Sequence, residues 1–389
     1  MKKVTIIILS ICIFITSLAI IPVNAKGKEY SYNKNTKTLT ISIKGKMQYN
    51  NENAPWIHIK QPNHIVLKSG ITSIAEAGFE FSIEGNSGNR KNYYDRIKTV
   101  KLPNTLKYIY SYAFADCNKI NKINIPKRVK LIGCSAFEGC KNIKKITLPK
   151  SVKKIGSSAF AGCSKLKKIT IPKGIQKISS GLLYSCKKLK KVKVYKGIEK
   201  IEHEAFEFCE KLNSIRLPSS VKMIGYSAFK GCSKINKINL PNSIEKIGEG
   251  AFEDCYSLKS IKLPKKIKTI KNFTFFSCKK LNKVTIQKQV TKIGNFAFAD
   301  CRNLKQVTIQ KQVTKIGNFA FADCRNLKQV TIPKSVTKIG TLALGYKYSP
   351  TDGDDGRYLC MKDFTIKGYK GTAAEKYAKK NGFKFVALG

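Results

Sequence analysis

Apolar residues recur along this chain at a fixed interval. Ile143-Lys144-Lys145-Ile146-Thr147-Leu148-Pro149 is one instance, and its pattern returns every 23 residues. A cysteine marks each return: Cys117, Cys140, Cys163, Cys186, Cys209, Cys232, Cys255, Cys278, Cys301 and Cys324. The stretch from Val284 to Gln306 is repeated letter for letter from Val307 to Gln329. A constant period in this range marks a solenoid that grows by stacking identical units.

Within one unit, Ile146 and Leu148 point to one side of a short strand and Lys145 and Thr147 to the other. Pro149 ends it, because proline cannot donate to a sheet ladder. Val152 and Ile155 form a second apolar pair before Gly156. Ala159-Phe160-Ala161-Gly162-Cys163 predicts a tight helical turn with Phe160 at the centre. One unit cannot bury these side chains alone, so stacking must. With parallel strands about 4.8 Å apart, about twelve rungs make a rod or arc on the order of 55 Å long.

Residues 26–69 lack the repeat. Thr38-Leu39-Thr40-Ile41-Ser42-Ile43 alternates as a half-buried strand does. Ile57 with Ile59, and Ile65 with Val66, suggest two more short strands around Trp56. The segment reads as a β cap over the first rung. Gly70 to Phe79 is a degenerate first unit, followed by an expanded loop over 81–96. After Gly340 the frame breaks: 346–357 reads as a polar loop, Phe364-Thr365-Ile366 as a strand, and Thr372 with Glu375 as a capping box opening a helix that stops near Gly382. The expected division is a leader over 1–25, a cap over 26–69, a solenoid over 70–345, and a terminal loop and capping unit over 346–389.

The first 25 residues hold two lysines, an apolar core and a small-residue end at Val23-Asn24-Ala25, the pattern of a secretory signal. No later stretch approaches the roughly 18 apolar residues of a membrane span. The sequence therefore predicts an exported chain, secreted or held to a surface by charge, without a membrane span once the leader is removed. The charge is one-sided: 74 Lys+Arg stand against 24 Asp+Glu, a formal +50. Such a surface attracts polyanions and says little about fold.

The unit L-x-x-I-x-L-P-x-S-V-x-x-I-G-x-x-A-F-x-G-C resembles the BspA-type leucine-rich repeat family of bacterial secreted and cell-surface proteins. The LTISIKGKM and APW segments near the N-terminus, and IKGYKGTAAEKYAKKNGFKFVAL at the C-terminus, resemble that family's flanking units. The resemblance implies a leucine-rich repeat solenoid: a curved right-handed superhelix with one parallel strand and a short helical turn per rung, strands on the concave face, an N-terminal β cap and a C-terminal helix-strand cap. It also implies adhesion or protein binding at the cell exterior.

The candidate chemistry is sparse. Ten cysteines at one position of every rung should stack inside the solenoid; reduced thiols packing as small hydrophobes suit that period better than disulfides or a metal site. Cys134 and Cys360 lie off the column. His58, His64 and His203 have no nucleophile grouped with them. Asp352-Gly353-Asp354-Asp355-Gly356 lacks the spacing of an EF-hand loop and reads as a solvated turn. No metal or cofactor is expected.

The lysines carry the functional expectation. One column precedes the second apolar isoleucine: Lys154, Lys177, Lys200, Lys246, Lys292, Lys315 and Lys338. Another set lies on the outward face of the strand: Lys101, Lys122, Lys145, Lys168, Lys191, Lys193, Arg216, Lys237, Lys262 and Lys283. From Lys122 onward this second set is the candidate binding surface. Its charge suits an extracellular protein, an anionic glycan or a wall polymer. Without interleaved aromatics, specific nucleic-acid reading is not expected. The chain thus reads as a non-enzymatic exported repeat protein that binds through an extended basic surface. The alternatives are a wall-associated electrostatic scaffold without a specific ligand, or an enzyme with its site in the segments 81–96 or 346–357.

Overall fold

The computed structural model describes residues 29–50, 53–56, 59, 62–79, 96–351 and 353–389, with backbone alone for 351 and 353–356. The expected leader over 1–25, the loop over 81–95, Ile57, His58 and Asp352 lie outside the described residues.

The chain is a β-solenoid of about 14 turns with parallel strands. A regular turn contributes to three walls. The first is a parallel sheet of short strands, such as Lys168–Thr170 beside Lys191–Lys193, with Ile169 opposite Val192. The second is also a parallel sheet, in which Lys177–Ile178 lies beside Lys200–Ile201. The apolar pair at Val152 and Ile155 thus carries a strand of its own, which alternation over two residues cannot reveal. Prolines separate the two strands, and Val152 N–H donates to Pro149 O (3.2 Å) as the chain turns the corner.

The third wall is the Ala-Phe segment. Its rungs are bonded one to the next, as where Phe137 N–H donates to Ala159 O (2.9 Å) and Gly139 N–H to Ala161 O (2.8 Å). The expected helical turn is not a helix. Two residues per rung take left-handed angles, for example Ser158 (φ 54°) and Gly162 (φ 67°), and right-handed helix cannot pass through either.

The core is a ladder of phenylalanines. Phe137 and Phe160 stack at 5.6 Å and 3°, and Phe229 and Phe252 at 5.5 Å and 2°. Leu183 takes the position between Phe160 and Phe206. The ten column cysteines line this ladder, buried and not joined in disulfides. From Cys140 onward each column thiol donates to a carbonyl 26 residues back, as Cys163 Sγ does to Phe137 O (3.2 Å), while Cys117 Sγ donates to Phe79 O (3.4 Å).

At the N-terminal end, Thr38–Ile41 pairs in parallel with His64–Leu67, which pairs with Thr99–Lys101, so these strands run in register with the first sheet. Ile59 lies outside any strand. Buried Trp56 meets Tyr30 and Tyr49 edge-on.

At the other end, the expected loop over 346–357 is instead a hairpin. Tyr346–Thr351 pairs antiparallel with Gly353–Cys360, with Tyr348 opposite Tyr358. Tyr346, Tyr348 and Tyr358, flanking the glycine-rich stretch of the sequence between them, are the sequence sign of this hairpin. Thr365–Gly368 adds to Gln329–Thr331 and Lys384–Ala387 adds in turn, both parallel. The helix Ala373–Asn381 buries Ala374, Tyr377 and Ala378, and Gly382 (φ 69°) ends it. The expected capping box does not form. Glu375 Oε2 accepts from Gly371 N–H (2.7 Å), while Thr372 Oγ1 donates to Tyr369 O (2.6 Å) and caps no N–H of the helix.

Candidate functional site

The first sheet sorts the expected basic residues into two columns. Lys122, Lys145, Lys168, Lys191, Lys237 and Lys283 occupy one outward position. Lys193, Arg216 and Lys262 stand two residues further along the strand. Pairing confirms the offset: Lys168 lies opposite Lys191, Thr170 opposite Lys193, and Lys262 opposite Thr285. All nine are exposed. Serine and glutamine interrupt the first column at Ser214, Ser260, Gln306 and Gln329.

A third exposed column, just before the strand, escaped the sequence reading: Lys144, Lys167, Lys190, Lys259, Lys305 and Lys328. These precede the first residue whose alternation is legible, so no period marks them as part of the face.

From Lys98 to Thr331 no aspartate or glutamate stands at any of these outward positions. The ion pairs of the described residues lie elsewhere. Lys177–Glu202 (3.0 Å), Lys222–Glu199 (3.2 Å) and Lys266–Glu245 (2.8 Å) are on or beside the second sheet. The other expected lysine column, Lys154 to Lys338, belongs to that second sheet, and acidic neighbours neutralise it in part. The basic surface is therefore two unlike faces. One is single-signed and unpaired; the other is mixed. On the first, Tyr195 stands where most rungs have proline, and its ring lies 5.0 Å from Lys193 Nζ and 5.5 Å from Lys173 Nζ, a cation–π clamp.

Burial pushes the Cys163 thiol up to about 12 and raises Cys186 and Cys232 as well, so the column is protonated and inert. His64 Nδ1 is 2.7 Å from Thr99 Oγ1, and His203 Nδ1 accepts from Tyr226 N–H (3.0 Å); the two are far apart in the array. Among the described residues, no three His, Cys, Asp or Glu side chains are grouped as metal ligands.

Two ladders on the third wall were not anticipated. Buried Glu207 and half-buried Lys230 and Glu253 succeed one another at one position of consecutive rungs, with Lys230 Nζ 3.0 Å from Glu253 Oε1. Burial, then the charge of Glu204, pushes the Glu207 carboxyl up to about 7, against the pull of Lys230. The second ladder comes from the duplicated unit. Arg302 Nε bridges Asp300 Oδ1 (2.6 Å) and Asp323 Oδ2 (3.2 Å), and Arg325 Nη2 donates to Tyr348 O (3.0 Å), tying the hairpin down. Alongside, Phe273, Phe296 and Phe319 stack at 4.9 and 4.6 Å. Their faces cover one another, so they offer no stacking platform to a ligand.

Parallel strands in register, a buried apolar ladder and an open charged sheet define a leucine-rich repeat scaffold. The sequence matches the profile described as BspA type leucine rich repeat region (6 copies) over residues 88–213, 177–305 and 222–349. The chain belongs to that BspA-type leucine-rich repeat family. No curated protein matches it. Among solved structures it is similar to a leucine-rich repeat protein from Bacteroides ovatus, with 22% identity and a TM-score of 0.68, covering 94% of this chain and 100% of that one. It is also similar to a leucine rich cell surface protein from Faecalibacterium prausnitzii, with 24% identity and a TM-score of 0.53, covering 82% of this chain and 95% of that one. These likenesses establish the fold. Among the described residues no helix is long and apolar enough to cross a membrane.

Proposed function

We propose that this chain is an extracellular binding scaffold whose first sheet contacts an anionic polymer or an acidic protein surface. The observation that carries this reading is the sheet's sign: its outward positions hold unpaired lysines and one arginine, and no carboxylate, from Lys98 to Thr331. A surface that served solubility alone would mix signs. Location outside the cell is supported by the leader pattern of residues 1–25 and by the surface description of the Faecalibacterium relative. No activity is assigned.

The test is a screen of residues 26–389 against purified mucins, matrix proteins and wall polymers at two salt concentrations. Binding to one ligand that survives about 0.3 M salt supports specific recognition, because pure charge contacts weaken steeply with salt. Equal loss from every polyanion would leave an electrostatic scaffold without a specific ligand. No binding to any of them at low salt would refute the reading.

A further inference from the structure

The two sheets are irregular at neighbouring turns, the first between Ser214 and Lys237 and the second between Ile247 and Thr269. In the first, residues 237–240 form no strand and meet the next turn through one bridge, Lys237 to Ser260. In the second, Lys246–Ile247 and Thr269–Ile270 are adjacent in the array yet belong to separate sheets.

The second break has a local cause. In regular turns, the residue after the strand is glycine, and its N–H donates back one turn: Gly225 to Ile201 O, Gly248 to Ile224 O and Gly294 to Ile270 O, each at 2.8 Å. Backbone approaches backbone so closely there that a Cβ on Gly225 would lie 2.6 Å from Glu202 C. Lys271 brings a Cβ to this position directly above Gly248, and its N–H makes no bond to Ile247 O. Ser179 above Gly156 behaves alike: its hydroxyl, not its N–H, reaches Ile155 O (2.6 Å). Glu202, stacked on Ser179 and not on a glycine, keeps its bond to Ile178 O (2.9 Å).

Beside this separation lies a hollow of about 700 Å³ on the second sheet, between 245–247 and 265–271. On the first sheet a hollow of about 340 Å³ lies between 237–242 and 260–263. The two flank the same corner. Lys237 and Lys262 border the smaller one; Lys246, Lys268 and Lys271 border the larger. All five are exposed and without a carboxylate partner, while Glu245 is engaged by Lys266 (2.8 Å). Every basic group here is lysine. Lysine binds phosphate-like oxyanions as a compact point charge, without the fixed fork geometry of a guanidinium.

We propose that this cleft is a discrete oxyanion site, taking sulfate or phosphate groups carried on an extracellular polysaccharide that crosses the solenoid between two turns. The site rests on the reading of the chain as a polyanion binder and extends the contact surface from the first sheet around one corner onto the second.

The test compares three full-chain variants with wild type for binding of heparin, which supplies sulfate, and of teichoic acid, which supplies phosphate. Lys246→Gln/Lys268→Gln/Lys271→Gln removes three charges at the cleft. Lys145→Gln/Lys168→Gln/Lys191→Gln removes three from the sheet far from it. Lys271→Gly removes one charge and the Cβ that separates the turns. Each lost charge contact lowers the slope of log affinity against log salt by about 1. The cleft variant should lose on the order of tenfold more affinity than the sheet variant, a position effect that counterion release alone does not produce. Lys271→Gly should lose far more than one charge accounts for. Tighter binding of heparin assigns sulfate, and tighter binding of teichoic acid assigns phosphate. Equal losses in the two triple variants overturn the cleft and leave the basic-surface reading standing. Failure of wild type to bind either polymer at low salt overturns both.

Discussion

Lys168 and Lys191 lie directly opposite one another on adjacent parallel strands, both exposed and neither with a carboxylate partner. Like charges opposite each other on neighbouring strands repel, at a cost on the order of a few tenths of a kcal/mol per pair. This fold sustains that repulsion along a whole face. Changing Lys168→Gln and Lys191→Gln together should therefore raise the melting temperature at low ionic strength. The gain should vanish near 1 M salt, where the screening length is about 3 Å. Thermal melts at the two salt concentrations measure it, and a salt-independent change would contradict it.

The phenylalanine ladder holds the turns together. Phe229 is fully buried between Phe206 and Phe252, at 5.2 and 5.5 Å. Phe229→Ala should cost about 3–5 kcal/mol. Phe229→Leu should cost less, because the array already accepts Leu183 at the equivalent position. Denaturant unfolding of the two variants checks the order.

Glu207 links stability to pH. Its carboxyl is raised from the ordinary range to about 7 by burial first and Glu204 second. Between about 4.5 and 7 the folded state therefore keeps a proton that the unfolded state has released. Stability should fall as pH rises through that window and level off above it. Glu207→Gln, which cannot ionise, should remove this part of the slope. An unchanged profile in the variant would show that another group sets it.

The cysteine column should be silent to thiol reagents. Cys360 is exposed and Cys134 half-exposed, while the ten column thiols are buried. Native protein should label at Cys360 quickly and Cys134 more slowly. Cys134→Ser/Cys360→Ser should label only on unfolding. Rapid native labelling of the double variant would mean that the column opens.

Much of this architecture was legible in the sequence because it is written in repeated burial. The ten cysteines, the isoleucines at 146, 169 and 238, and the phenylalanines all recur where the core recurs. What escaped was short or conformational. A two-residue strand such as Lys177–Ile178 has no alternation to read, so the second sheet stayed hidden and its lysines could not be separated from those of the first. The turn around Phe160 read as helical because composition does not report left-handed angles at Ser158 and Gly162. The role of the duplicated unit was also hidden. Its Arg302 and Asp323 belong to different copies and bond only because copies stack. The basic face was legible as charge, but the absence of carboxylates from it emerges only when three positions per rung are laid side by side.

The central claim is that the first sheet is the contact surface for a polyanion. The most direct measurement is heparin affinity against salt concentration for wild type, for Lys122→Gln/Lys145→Gln/Lys168→Gln/Lys191→Gln/Lys193→Gln on the first sheet, and for Lys292→Gln/Lys315→Gln/Lys338→Gln on the second. Wild type should lose affinity linearly on logarithmic axes, and the first-sheet variant should show a slope shallower by about 1 for each contact removed. The second-sheet variant should keep the wild-type slope. A wild-type slope in the first-sheet variant, with a shallower one in the second-sheet variant, would contradict the assignment.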